Sequence, residues 1–398
     1  MTRMVDSPDR LDAQAEALRH GAYVRPPGVL RLGTQALPLV SPARIYVCGI
    51  TPYDVTHLGH AATFVWADAL AKVIRSTGTR AVTCRNVTDV DDVLTSAATA
   101  RGRRYDEYAA TQEFLFDRAM RELRVDPPTH APRAGSHVGE AIQLAAALLE
   151  LGAAYEREGA VYFRGAHVPG EAGVSRDDAL RLLEDYGDDP GDQRRDDPFD
   201  VLLWKPSGAD EPAWPSPWSP GRPGWHAECA AMAMSVLSPC VDVLAGGADL
   251  EFPHHAYQSA MVRGVSGAGL FARVDLHVGT VRLDGAKMAK STGNLVLVED
   301  LLGEVPAAAL RLYLLDRPWA RPWDVDRADL GRASDRLDRL HAAVGRAGPD
   351  DPQGATAAAM RALLHDLDVV SALDLAEEAG GAAARTVLRM LSLDAPDA

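Results

Sequence analysis

A run of β-branched and apolar residues, RIYVCGI from Arg44 to Ile50, is followed a few residues later by HLGH at His57 to His60, and then by AATFVWADALAKVIR, Ala61 to Arg75. The first run reads as a buried strand. In the last, Phe64, Ala67, Leu70, Ala71 and Ile74 recur at helical spacing, so HLGH falls where a strand turns into a helix. This junction opens a βαβ unit, and a βαβ unit commits the chain to an α/β fold with a parallel sheet. Free backbone N–H groups and the positive end of the helix dipole favour phosphate at such a point, and Gly59 lets a nucleotide approach the backbone closely. His57 and His60, one helical turn apart, are spaced to donate hydrogen bonds to phosphate oxygens. Taken alone, HLGH also reads as two surface histidines capping a helix.

A second segment narrows the choice. KMAKS, Lys287 to Ser291, follows RVDLHVGTVRL, Arg273 to Leu283, which predicts another strand, and it lies in a loop with Asp284, Gly285, Thr292 and Gly293. Lys287 and Lys290 on a glycine-flanked loop suit a leaving pyrophosphate, because each ammonium is a compact charge on a flexible stem. By itself this is an ordinary solvated loop. Together, in this order and near the two ends of one predicted α/β domain, the segments point to a nucleotide site.

With 398 residues, 47% of them hydrophobic, the chain can hold two or three domains, each with its own core. No run approaches the length of a membrane span, and the opening MTRMVDSPDRLDAQAEALRHG lacks the apolar stretch of a secretory signal. A cytoplasmic protein with no membrane partner is expected. The net charge of −15 suits a polyanionic partner poorly, although bulk charge speaks first to solubility. Cys48, Cys84, Cys229 and Cys240 show no close-paired spacing, so they are expected to be thiols or metal ligands rather than disulfides.

Segments YVCGITPYDVTHLGHA, RNVTDVDD, PSPWSPGRPGWHAECAAM, GGADLEFPHH and KMAKSTGN are similar to those of the class I aminoacyl-tRNA synthetases, whose paired motifs read HIGH and KMSKS. Within them the chain resembles the cysteine branch over roughly residues 44 to 320. That branch holds cysteinyl-tRNA synthetase and the shorter mycothiol cysteine ligases, which join cysteine to the amine of glucosaminyl-inositol, and GITPYDVTHLGHAA looks more like the ligases. The resemblance implies a Rossmann-like nucleotide-binding domain with an inserted α+β subdomain and a C-terminal helical bundle. It divides the chain into an extension over 1–43, a first catalytic half over 44–125, the insertion over 126–200, a second half with the KMAKS loop over 201–303, and the bundle over 304–398. The insertion carries an amphipathic helix near GEAIQLAAALLELG and a hairpin at AAYEREGAVYFRG. Its tail, DYGDDPGDQRRDDPFD, is rich in charge and turn formers and is expected to be an exposed loop.

A cysteine-activating enzyme must reject serine, and shape alone separates such near-isosteres weakly. A zinc ion with an open position does so through its preference for a thiolate. The resemblance assigns Zn2+ to Cys48, Cys229 and His254. Read without it, Cys48 is a buried strand-end thiol and Cys229 a small helix-core residue. The synthetases carry a carboxylate four residues after the ligand histidine, where this chain has Gln258, so a site of three protein ligands is expected. By the same resemblance Thr88 and Trp225 hold the amino group and side chain of L-cysteine. Gly49, Ile50, Thr51, Gly59, Thr63, Asn86 and Val87 contact the adenylate, Gly247, Ala248 and Asp249 form the ribose turn, and Val281 meets adenine. His57, His60, Lys287 and Lys290 stabilise the displacement on ATP, which enters with Mg2+.

Several departures from the ligase pattern lie in telling places. ERGGDP appears as DYGDDP, Asp185 to Pro190; PHHE has become PHHA with Ala256; the middle serine of KMSKS is Ala289; and Cys84 and Arg85 replace an apolar or aromatic residue and glutamine. Cysteine activation is expected to survive them. The acceptor stays open between glucosaminyl-inositol, another small amine, and tRNA in a shortened synthetase, with an inactive binding paralogue as the remaining alternative. Little sequence follows the helical region to serve as an anticodon-reading module, which favours an amine.

Overall fold

The computed structural model describes residues 29–53, 55–209, 211–288, 293–346 and 354–395. A hairpin of β1 (Val29–Leu32) and β2 (Gln35–Pro38) precedes β3 (Ala43–Ile50). Then come α1 (Leu58–Ser76), β4 (Ala81–Val87), α2 (Asp92–Ala100) and α3 (Tyr105–Glu122). The strand and helix expected around HLGH are both present. β3 is buried along nearly its whole length because parallel partners flank it on both sides, β4 on one and β9 (Val241–Gly247) on the other.

The insertion starts with α4 (Val138–Glu150) and the hairpin β5 (Ala154–Arg157) and β6 (Ala160–Phe163), turned by Glu158 and Gly159 at φ of 54° and 78°. After α5 (Val168–Glu171) and α6 (Arg176–Asp185), strands β7 (Val201–Pro206) and β8 (Gly221–Pro223) join the same antiparallel sheet in the order β5-β6-β7-β8. This sheet therefore continues past residue 200. The stretch between α6 and β7 is not the solvated loop that its composition suggests. Arg195 is almost fully buried against Asp188, the Tyr162 hydroxyl donates to Asp192 at 2.7 Å, and Asp200 accepts from Gly165 N at 2.8 Å and the Tyr155 hydroxyl at 2.9 Å. Its charges satisfy one another and neighbouring strands, which fastens it to the antiparallel sheet.

Helix α7 (Trp225–Val236) leads into β9, a tight turn over Glu251–His255, α8 (Ala256–Ser266) and β10 (Ala272–Val278). The parallel sheet has the order β10-β9-β3-β4. The chain builds outward from β3 to β4, then crosses to β9 and builds the other way to β10. Neighbours β3 and β9 thus mark the switch point at which α/β folds bind ligands. The single strand expected over Arg273 to Leu283 is broken at Gly279, where a Cβ would stand 2.3 Å from the Arg321 carbonyl oxygen. Beyond that break β11 (Val281–Leu283) pairs with β12 (Ala286–Lys287) and with β13 (Trp323–Asp324).

Around β13 the chain forms α9 (Val298–Leu302), α10 (Ala307–Leu315), α11 (Arg327–Val344), α12 (Ala355–Leu364), α13 (Val369–Ala379) and α14 (Gly381–Met390). Alternation along β3 sends Ile45 and Val47 to the sheet face covered by α1 and these helices, and Tyr46 and Cys48 to the face covered by α4, α7 and α8. Helix α1 is buried almost all round because β9 lies on one side and α10 and α14 on the other. The fully buried Arg311 of α10 pairs with Asp68 of α1 and donates to Leu391 O at 2.6 Å and Leu123 O at 2.9 Å. Arg311→Ala leaves Asp68 paired with Lys72 at 2.8 Å but deprives Leu391 O and Leu123 O of their buried donor, so it is expected to lower the unfolding free energy by about 1–3 kcal/mol. Urea denaturation measures this, and a loss within the scatter of surface substitutions would contradict it. Among the described residues no helix is long and apolar enough to cross a membrane.

Candidate active site and metal centre

A cavity of about 480 Å³ opens at the carboxyl ends of β3, β4 and β9. It gathers the predicted residues Cys48, Gly49, Ile50, Thr51, His57, Gly59, His60, Thr63, Asn86 and Thr88 from the first half of the chain. From the second it gathers Trp225, Cys229, Gly247, Asp249, His254, Val281 and Lys287. Val87 and Ala248 do not line it: Val87 is buried in the sheet, with its N–H donating to Pro132 O at 2.9 Å. Lys290, with Ala289, Ser291 and Thr292, lies outside the described residues.

The HLGH turn presents the amino end of α1 to this cavity. His57 caps the helix, its Nδ1 accepting from Gly59 N at 3.1 Å, and its ring stacks on His60 at 3.8 Å. Burial, the neighbouring His60 and Lys287 lower the His57 pKa to about 3 against the pull of Asp249, and burial lowers His60 to about 4. Both are neutral near pH 7 and can each donate one N–H without a charge of their own. Gly49 is required by close approach, since a Cβ there would lie 1.7 Å from the Asn86 carbonyl oxygen. Its N–H donates to Asn86 Oδ1 at 2.9 Å.

Two folded-state pKa values depressed below the ordinary histidine value make stability depend on pH in one direction. The unfolded chain takes up these protons first, so stability is fully present above pH 6.5 and is lost as pH falls toward 4. The melting temperature is expected to drop over that window, with a smaller drop in His60→Asn. Parallel profiles for the two proteins would show that His60 is not responsible.

Across the cavity Lys287 pairs with Asp249 at 2.7 Å and donates to the Tyr186 hydroxyl at 3.3 Å. Burial opposes its charge, yet Asp249 and Tyr186 raise its pKa above the ordinary lysine value. The Tyr186 hydroxyl in turn donates to Asp249 O at 2.7 Å, and its ring lies over Trp225 at 5.9 Å. Tyr186 belongs to DYGDDP, noticed in the sequence only as a departure.

At the inner end the ligand atoms of Cys48, Cys229 and His254 lie within 4.8 Å of one another, and all three residues are buried. They come from the end of β3, the second turn of α7 and the turn before α8. Asn86 Nδ2 donates to Cys229 Sγ at 3.2 Å, and the Cys48 thiol donates to Gln258 Oε1 at 3.6 Å. His254 contacts His226 through Nδ1 at 2.9 Å and stacks on Trp225 at 4.1 Å. His255 turns away to His277, at 2.8 Å. All four cysteines are free. Burial pushes the Cys48 thiol well above its usual range, and the adjacent Cys229 pushes it further. Two buried thiols and an imidazole converging in this way fit a borderline-soft divalent cation, whose charge would hold both sulfurs as thiolates.

A third arm runs outward from Thr88, whose Oγ1 lies 2.7 Å from Thr51 Oγ1, along Asp91, Asp92, Lys205, Arg222 and Glu228. Glu228 is 2% exposed and its Oε2 has no hydrogen-bond partner. None of these five was singled out in the sequence, although NVTDVDD and PGWHAEC contain three of them. The signal was a cluster of acids around residues already assigned to cysteine.

The catalytic-domain model of class I (C) tRNA synthetases matches residues 39–335. The fold agrees with that of Mycobacterium tuberculosis methionyl-tRNA synthetase in complex with methionyl-adenylate, which aligns with a TM-score of 0.61 over 89% of this chain and 82% of that one, at 16% identity. The chain therefore belongs to the class I synthetase family, in its cysteine branch. A protein of Parafrankia sp. (strain EAN1pec) is 41% identical over 345 residues, covering 86% of this chain and 78% of the relative. One of Mycolicibacterium gilvum (strain PYR-GCK) is 42% identical, covering 83% and 76%. Both are named L-cysteine:1D-myo-inositol 2-amino-2-deoxy-alpha-D-glucopyranoside ligase, and the chain belongs with these ligases.

Proposed function

We propose that this protein activates L-cysteine with Mg·ATP and joins the cysteinyl group to the amine of 1D-myo-inositol 2-amino-2-deoxy-α-D-glucopyranoside. The observation that carries the reading is the convergence of two thiols and an imidazole in the same cleft as the stacked HLGH histidines. Homology to ligases of that name over more than four-fifths of the chain supports it.

In the first step a cysteine carboxylate oxygen attacks the α-phosphate, and pyrophosphate leaves with the electrons of the broken P–O bond. His57 and His60 donate N–H groups to the phosphate oxygens as their charge grows, and Lys287 follows the leaving group. Lys290 is assigned the same task by its motif. Asp249 holds ribose, Gly49 and Gly247 admit the nucleotide to the backbone, and Thr88 and Trp225 hold the amino acid. Zinc would sit between Cys48, Cys229 and His254, where it supplies selectivity for a thiol side chain. Asn86 orients the Cys229 sulfur through its side-chain N–H. In the second step the neutral amine forms a C–N bond to the cysteinyl carbonyl carbon. The C–O bond to phosphate breaks, AMP leaves with its electron pair, and the amine proton passes to solvent. No covalent enzyme intermediate is needed, and positioning supplies most of the acceleration. The reaction is assigned to the cytoplasm, where ATP and reduced thiols are available.

Amino-acid-dependent pyrophosphate release by zinc-loaded protein tests this. Cysteine-dependent release that is accelerated by glucosaminyl-inositol, with the amide as product, is the expected result. Acceleration by tRNA instead would establish a synthetase, and release independent of cysteine would remove the ligase reading altogether.

A further inference from the structure

We propose that the third arm of the cleft, between the start of α2 and strands β7 and β8, is the acceptor subsite, and that Glu228 and Asp91 make it select a small hydroxylated amine over a polyanion. This rests on the ligase reading and locates the half of the reaction that sequence leaves open.

Glu228 lies on the first turn of α7, next to Cys229, and lines the cleft while 2% exposed. Its Oε2 has no partner. Leaving a buried polar atom unpaired costs about 1–3 kcal/mol, so native proteins rarely keep one without a ligand to meet it. Asp91 stands on the same wall. One of its carboxyl oxygens caps α2 through Val93 N at 3.0 Å, and the residue lines the cleft together with Thr51 and Glu228.

The remaining charges of the arm are committed. Asp92 accepts from Lys205 at 2.5 Å and from Arg222 Nε at 2.8 Å, and Arg222 also pairs with Glu211 at 2.7 Å and Ser207 at 2.7 Å. Both cations that line the arm are thereby neutralised. What it offers a ligand is carboxyl oxygen, which attracts an ammonium group and repels phosphodiesters. The arm begins at Thr88 and Thr51, where the resemblance places the amino group of cysteine. The ammonium held by Glu228 and Asp91 is delivered beside the cysteinyl group, and it gives up one proton to solvent before its nitrogen, then neutral, attacks the carbonyl carbon.

The test measures binding of glucosamine, N-acetylglucosamine and the trinucleotide CCA to zinc-loaded protein carrying a non-hydrolysable cysteinyl-adenylate analogue, by titration calorimetry. Glucosamine is expected to bind about tenfold more tightly than its acetylated form, as one charge-assisted hydrogen bond dictates, and CCA is not expected to compete. Glu228→Gln keeps the shape, and Asp91→Asn keeps the helix cap. Each is expected to weaken glucosamine about tenfold while changing N-acetylglucosamine much less. In turnover the acceptor KM should rise several times more than the cysteine KM. Equal binding of the two sugars by the unaltered protein, or competition by CCA, would overturn the subsite without reference to any variant. So would variants that raise the cysteine KM as much as the acceptor KM. Cysteinyl-AMP formed without any amide from glucosaminyl-inositol would instead defeat the ligase reading, whereas amide made with undiminished acceptor affinity in both variants would defeat the subsite alone.

Discussion

Cys229→Ala protein is expected to lose most of its bound zinc and to show a cysteine KM in pyrophosphate exchange raised about a hundredfold or more, the scale at which even outlying partners of a metal site matter. The ATP KM should move far less, because the residues proposed to contact the adenylate lie on β3, α1, β4, β9 and β11 rather than on α7. The geometry makes Cys229 the sharpest choice. Cys48 sits between Val47 and Gly49 in the central strand, and His254 occupies a tight turn, so replacing either disturbs its own backbone environment. Cys229 points from a regular helix, its sulfur takes an N–H from Asn86, and alanine preserves the helix. Metal analysis together with exchange kinetics decides the matter. Full zinc content, or parallel rises in both KM values, would show that the sulfur is structural.

The second large effect lies at the other end of the cleft. His60→Ala is expected to slow cysteinyl-AMP formation by roughly 10² to 10³-fold, the loss typical of one preorganised donor to a developing anion. Single-turnover formation of the adenylate reads it directly. His57→Ala would be harder to interpret, because His57 also caps α1 and its loss weakens the helix by about 1 kcal/mol. Lys287→Ala removes a charge that pairs with Asp249, so it combines a chemical loss with an electrostatic one. A His60→Ala enzyme with unchanged single-turnover rate would remove the imidazole from the chemistry.

Much of this was legible in the chain. The strand before HLGH and the helix after it follow from local pattern, and the hairpin of the insertion from its EREG turn. The metal triad came from resemblance, and the structure brings its three residues together. What local pattern missed depended on contacts made across long stretches of chain. RVDLHVGTVRL reads as one strand until Arg321 is known to press on Gly279. The acidic stretch after α6 looks solvated because its partners, Tyr155, Tyr162 and Tyr257, lie on other elements. Tyr186 and Glu228 carried no spacing signal at all. Their place in the cleft follows from how α6 and α7 are docked.

The helix that presents both HLGH histidines is tied down from far along the chain. Lys72 of α1 donates to Ser392 Oγ at 2.7 Å, and Arg311, which pairs with Asp68 on the same helix, donates to Leu391 O. A ribosome must therefore deliver residues 391 and 392 before α1 acquires its full set of polar partners. The middle of the helix that follows HLGH thus takes its last polar partner from a residue 320 positions further along the chain.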